Sequence, residues 1–145
     1  MKKITIIRHG QSQYNAGNFE ITNCGLTDIG KQQAETLNYS FDVLVISHLR
    51  RATETYINSH IKTKQVLVSD LFVESLSIDI TSGKAKTNKT LNDQDSESFD
   101  DIKTRTQKAI EFIKNIESNN IGIISHCNFI WHFLEQLGQQ PIRLN

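Results

Sequence analysis

The sequence predicts an α/β fold: a three-layer sandwich with a mostly parallel central sheet and helices on both faces. Three observations lead there. Four short β-branched runs, Ile4 to Ile7, Phe41 to Ser47, Gln65 to Val68 and Ile121 to Ser125, are almost continuously apolar, as strands covered on both faces are. Segments with apolar residues at helical spacing lie between those runs, and the alternation of strand with helix is the pattern of a parallel sheet wound by right-handed crossovers. A length of 145 residues suits one core, so residues 1–145 are read as a single domain.

The elements follow in chain order. After the first strand, Thr27 is placed to cap a helix carrying Gln32, Gln33, Ala34 and Leu37, with Asp28 near its positive end. The second helix spans Arg51 to Ser59, with Ala52, Thr55, Tyr56 and Ser59 on one side. A long helix from about Ser98 to Glu117 aligns Phe99, Ile102, Thr106, Ala109, Ile110, Ile113 and Ile116 in one stripe, with Asp100 and Asp101 in its first turn. The last helix runs from Asn128 to Leu137 and stops at Gly138, a left-handed cap position. The polar stretch Ser75 to Ser96 has no periodicity. Segments of that length serve compact domains as lids or binding loops, or are mobile.

Composition narrows the function. Lys plus Arg equals Asp plus Glu, 16 each, so no global field favours nucleic acid or an anionic membrane, and any anion must be recognised locally. Cys24 and Cys127 match neither a zinc knuckle nor a disulfide framework, which predicts free thiols in a reducing, cytoplasmic setting. The apolar run after Met1-Lys2-Lys3 ends at Arg8, too soon for a secretory h-region. No segment approaches the roughly 20 apolar residues that span a bilayer.

In open α/β sheets, ligands bind in the crevice at the carboxyl ends of the strands. The first strand ends in Arg8-His9-Gly10, the second in Ser47-His48-Leu49-Arg50-Arg51, the third runs on to Glu74 and the fourth ends in Ser125-His126. That inventory suits phosphoryl transfer. Arg8 and Arg51 form a clamp for a phosphate dianion. His9 is the nucleophile, dividing one displacement into two through a phosphorylated imidazole, and Gly10 lets the backbone approach the phosphate. Glu74, with a raised pKa, protonates the leaving oxygen and then activates water. A protonated His126 stabilises the equatorial oxygens.

These residues carry a resemblance that covers nearly the whole chain. Arg8-His9-Gly10-Gln11-Ser12-Gln13-Tyr14-Asn15 resembles the signature of the histidine phosphatase superfamily, in the branch of phosphoglycerate mutases and related phosphatases. Further similarities follow in the family's order: Leu26-Thr27 with Gly30 and Gln33-Ala34; Ser47, Leu49, Arg51, Ala52 and Thr55; Glu97-Ser98-Phe99 with Arg105; and Ile124-Ser125-His126. The resemblance implies a phosphate pocket of Arg8, His9, Arg51 and His126, Glu74 as proton donor, and Gln11, Ser12 and Asn15 as supporting contacts. Where the family commonly has a glycine pair after the second histidine, this chain has Cys127-Asn128, which narrows the pocket or adds an amide contact to substrate.

The expected activity is hydrolysis of a small phosphomonoester through phosphohistidine. The short stretch between Glu74 and His126 leaves little room for the insertion with which mutases retain a phosphorylated intermediate. A mutase, an inactive phospho-ligand binding module and a phosphatase of protein phosphohistidine are the alternatives. At single positions other readings stand beside these. Glu97 or Asp79 could be the acid, and Ser12 and Asn15 could simply cap a turn. Lys84, Lys86 and Lys89 are a solvated run or a grip for a second anion, and His48, His60 and His132 are packing or surface residues. Cys127 is a poor nucleophile, because the arginine that cysteine phosphatases carry six residues later is here Phe133. No metal and no cofactor is expected, since the His126 to His132 spacing fits no common zinc pattern.

Overall fold

A computed structural model describes residues 2–17, 23–75 and 98–138. The expected lid over 75–96, the lysines Lys84, Lys86 and Lys89, and the alternative acids Asp79 and Glu97 lie outside those residues, apart from Ser75, as does the side chain of Phe99.

The chain alternates as anticipated. Strand β1 (Lys3–Arg8) leads to helix α1 (Asp28–Glu35), then β2 (Ser40–Ile46), α2 (Arg50–Ile57), β3 (Lys62–Val68), α3 (Phe99–Lys114), β4 (Asn120–Ser125) and α4 (Cys127–Gln136). The four strands form one all-parallel sheet in the order β1-β4-β2-β3.

Both faces of the sheet are covered. On one, Val43, Val45, Ile121 and Ile123 pack with Ala109 and Ile113 of α3 and Phe129 and Phe133 of α4. On the other, Ile7, Leu44, Ile46 and Ile124 pack with Ala52 and Tyr56 of α2. Burial on both faces holds for the central strands, β2 and β4. It fails for β3, whose Val66 and Val68 are exposed at 39% and 59%. Among the described residues, β3 pairs with β2 alone, so its apolarity reflects strand propensity rather than coverage.

Helix ends follow their caps. Thr27 accepts the Gly30 N–H to start α1, and Ser98 and Asp101 exchange bonds in a capping box that opens α3. Helix α1 ends at Glu35, so Leu37, expected on that helix, lies beyond it; the Leu37 N–H bonds to the Ala34 carbonyl in the closing turn. Gly138 takes the left-handed conformation, φ 77°, just past α4. Among the described residues no helix is long and apolar enough to cross a membrane.

Candidate active site

Strand order decides what meets. Because β4 lies between β1 and β2, Arg8 stands level with Ser125 in the sheet register, and the N–H groups of His9 and Ser47 donate to the Ser125 and Ile124 carbonyls. Each of the three strands releases its chain at one level, and the side chains that follow them converge.

His9 leaves β1 with its ring buried. Its Nδ1 lies 2.6 Å from the Gly10 carbonyl oxygen, and only an N–H can make that bond, so Nδ1 carries the hydrogen and Nε2 keeps its lone pair. Burial, with Arg51 and Arg8 nearby, lowers the His9 pKa from 6.5 to about 3 despite the Gly10 bond. The imidazole is therefore neutral at pH 7, as a nucleophile must be.

His126 packs beside it, ring centroids 5.0 Å apart, and is wholly buried. Its Nε2 lies 2.8 Å from Ser47 Oγ, which already accepts the Leu49 N–H. The Ser47 hydroxyl keeps a second lone pair and its own hydrogen, so it can pair with Nε2 whichever tautomer the ring takes, including the one that carries its hydrogen on Nδ1. That Nδ1 is buried with no partner among the described residues. Burial, and then His9 and Arg51, hold the His126 pKa well below 6.5. In the free site, burial beside guanidinium groups therefore disfavours the imidazolium that was expected of His126.

Arg51, on α2, is 3% exposed, and its Nη1 is also buried without a partner. Two buried polar nitrogens without a partner among the described residues are costly at one place unless a ligand completes them. Arg8 is exposed at the rim. A cavity of about 230 Å³ is lined by Arg8, His9, Ser12, Tyr14, Asn15, Arg51, Glu74, Ser75, Cys127 and Asn128.

Glu74 reaches this cavity differently than expected. Strand β3 ends at Val68, and a 3-10 turn over Asp70–Phe72, capped by Ser69, intervenes. Arg105 of α3 holds that segment, donating to the carbonyls of Leu71 (2.9 Å), Val73 (2.9 Å) and Glu74 (3.3 Å). Glu74 Oε1 accepts the N–H groups of Ser75 and Phe129, both at 2.9 Å, while Oε2 has only the long 3.4 Å contact from the Asn128 N–H. The carboxylate thereby caps α4, whose N-terminal residue His126 offers no side-chain cap. Burial outweighs those N–H groups and Arg51, so the Glu74 pKa is raised. The less engaged Oε2 is the oxygen suited to hold a proton.

The supporting residues divide. Ser12 and Asn15 bond to each other: Asn15 Oδ1 accepts the Ser12 N–H (3.0 Å) and hydroxyl (2.9 Å), so both cap a turn while lining the cavity. Gln11 lines a neighbouring recess rather than this cavity. Cys127 and Asn128 line the cavity from the start of α4.

Gly10 also has a packing role beside the one expected of it. A Cβ there would lie 2.5 Å from the Gly30 carbonyl oxygen, and one at Gly30 would overlap the Gln11 carbonyl, so the glycine pair lets the His9 loop rest on α1. The role of Thr55 was not foreseen. Its Oγ1 accepts the Gly10 N–H at 3.0 Å and donates to the Arg51 carbonyl at 2.7 Å, tying the His9 loop to the Arg51 helix; the visible signal was its place in the motif with Ser47, Leu49, Arg51 and Ala52. Tyr14 and Ser75, each the first residue of a segment expected to set specificity, also line the cavity. Among the described residues no cluster of three His, Cys, Asp or Glu could hold a metal ion.

The fold recurs in solved structures. A proposed alpha-ribazole-5'-P phosphatase of Escherichia coli K-12 superposes with a TM-score of 0.70 at 20% identity, covering 97% of this chain and 81% of that one. A phosphoserine phosphatase of Entamoeba histolytica, solved with 3-phosphoglyceric acid, gives 0.67 at 23% identity over 100% and 87%. The alpha-ribazole phosphatase of Shigella flexneri gives 0.67 at 20% over 95% and 80%. No curated protein matches at a significant level. The sequence profile of the histidine phosphatase superfamily (branch 1) matches residues 4–144, and the chain therefore belongs to that superfamily.

Proposed function

We propose that this protein is a phosphatase that hydrolyses a small phosphomonoester through a phosphohistidine at His9. The observation that carries the reading is the pair of buried nitrogens without a partner among the described residues, Arg51 Nη1 and His126 Nδ1, beside an imidazole whose Nδ1 is tied to Gly10. A tetrahedral dianion completes both donors and presents phosphorus to Nε2 of His9. Arg8 and Arg51 neutralise its charge, and the His126 Nδ1–H donates to an oxygen that gains charge during transfer.

In the first step His9 Nε2 forms a bond to phosphorus as the P–O bond to the leaving group breaks, and Glu74 Oε2 gives that oxygen its proton. In the second, Glu74 takes a proton from water, whose oxygen attacks the phosphoryl group and releases inorganic phosphate and neutral His9. The arginines supply the positive charge that the transfer needs, so activity is expected to survive chelators. Alpha-ribazole phosphatase and phosphoserine phosphatase among the superposed proteins support a small-molecule substrate.

The test is brief mixing with a labelled aryl phosphate followed by a quench. An acid-labile phosphoenzyme mapping to His9 is expected, with a loss of about a thousand-fold or more in His9→Ala. Label on another residue, or full activity of His9→Ala, refutes the mechanism. Tight binding of a phosphate ester with no phosphate release would instead identify an inactive binding module.

A further inference from the structure

Cys24 is wholly buried and has no part in the chemistry assigned to His9, Arg51 and Glu74, yet its thiol meets two residues that line the phosphoryl cavity. Its Sγ accepts the backbone N–H of Tyr14 at 3.4 Å, and Tyr14 and Arg51 both line that cavity. The Arg51 side chain hydrogen-bonds the same thiol, and Glu74, Cys24 and Tyr14 together favour its charge against burial. An arginine has only donors, so in that pair the guanidinium donates and the sulfur accepts.

The backbone on either side of Cys24 is fixed as well. Asn23 Oδ1 accepts the Arg50 N–H at 2.9 Å, at the start of a helix to which Leu49 offers no side-chain cap. The Gly25 carbonyl accepts the Gln13 N–H at 3.0 Å, and a Cβ on Gly25 would overlap the Glu54 carboxylate of α2. Leu26 forms a bridge with Ser12. Residues 23–26 thus join the loop after His9 to the first turn of α2, with the thiol at the join.

A guanidinium on a long stem gives up rotamer freedom when it is ordered, and binding is weaker if the ligand has to do that ordering. A carboxylate at position 24 would order Arg51 strongly, but it would also compete with a phosphate oxygen for the same N–H groups. Sulfur is a weak acceptor. It orients the guanidinium, while Nη1 stays without a partner among the described residues and open to an anion.

We propose that Cys24 is a positioning residue for Arg51, its thiol setting the guanidinium in the orientation that receives a phosphoryl oxygen. The proposal rests on the reading of Arg51 as a phosphate clamp, but it can be tested without turnover.

Inorganic phosphate is titrated by calorimetry into the intact protein and into Cys24→Ser and Cys24→Ala, with melting curves and aryl phosphate hydrolysis measured in parallel. Serine and alanine fill nearly the same space, so the difference between them reads the acceptor rather than the packing. Cys24→Ser, which keeps an acceptor, should bind phosphate within about threefold of the parent, and Cys24→Ala about tenfold more weakly, the size of one hydrogen bond to a charged group. In an Arg51→Lys background the difference between serine and alanine should vanish, because no guanidinium is left to orient. Equal phosphate binding by Cys24→Ser and Cys24→Ala, or a tenfold loss in a folded Cys24→Ser, overturns the proposal. A difference that persists with Arg51→Lys also overturns it, since the thiol would then act through the Tyr14 N–H. The expected binding pattern with no phosphate released from the aryl ester would instead remove the phosphatase reading and leave the role of Cys24 standing.

Discussion

Single hydroxyl groups decide how the candidate site is tuned. Thr55 connects the Gly10 N–H to the Arg51 carbonyl, so it fixes the spacing between nucleophile and phosphate clamp. Thr55→Val removes both bonds and leaves a buried N–H unsatisfied, a cost of about 1–3 kcal/mol. Misplacement of His9 should lower kcat ten- to hundredfold, while Thr55→Ser, which keeps the hydroxyl, should stay near the parent. Melting curves and steady-state kinetics of the pair check this; equal losses in both variants would refute it. The residue types at His9, His126, Arg8 and Arg51 were legible because strand ends and motif spacing expose them. The hydrogen-bond partners of their rings were not, because His126 meets Ser47, a residue far away in the chain.

At the level of elements, the proton donor's geometry comes from three packed pieces. The 3-10 turn carries Glu74, α4 receives its carboxylate at the N-terminus, and Arg105 of α3 binds the turn's carbonyls while its guanidinium lies 4.7 Å from the Phe129 ring centroid. Arg105→Ala should cost about 1–3 kcal/mol of stability, since it deletes charge-assisted bonds to partly buried carbonyls. By loosening Glu74 it should slow alkyl phosphates more than activated aryl phosphates, whose leaving groups need less protonation. A uniform loss across leaving groups would mean that Arg105 serves stability alone.

The contact between the His9 loop and α1 is equally tight. Gly30→Ala forces its Cβ into the Gln11 carbonyl, with an overpacking cost of about 1–3 kcal/mol. Thermal melts should show that loss together with reduced turnover, and an undisturbed Gly30→Ala would show that the loop has slack. The starts of α1 and α3 and the end of α4 were readable because Thr27, Ser98 and Gly138 are local signals, whereas α1, α2 and α3 end earlier than expected, where no such signal stands. The cap of α4 was not, since it comes from Glu74, a residue distant in the chain.

Over the whole molecule, burying a cluster of ionisable groups links stability to pH. The unfolded chain protonates His9 near 6.5 and the folded one only near 3, so the unfolded state takes up the proton first as pH falls. Stability is intact above about 6.5 and declines on acidification toward 3. His126 acts in the same direction. Glu74 acts oppositely: its raised pKa means that the folded state holds a proton longer, so its contribution is lost as pH rises above 4.5. With two imidazoles against one carboxyl, melting temperature should fall between pH 7 and pH 5, and His9→Asn should flatten the fall. An equal fall in that variant would show that His9 is not the linked group.

The sequence by itself determined the element types, the apolar faces and the reactive groups, because periodicity, caps and motif spacing are local properties of the chain. Only the tertiary structure decided the strand order that sets β4 between β1 and β2. From that order follow the burial that disfavours a charged His126 and the α4 cap made by Glu74. Each depends on burial and on partners brought together from distant segments, and those energies exist only once the segments have met.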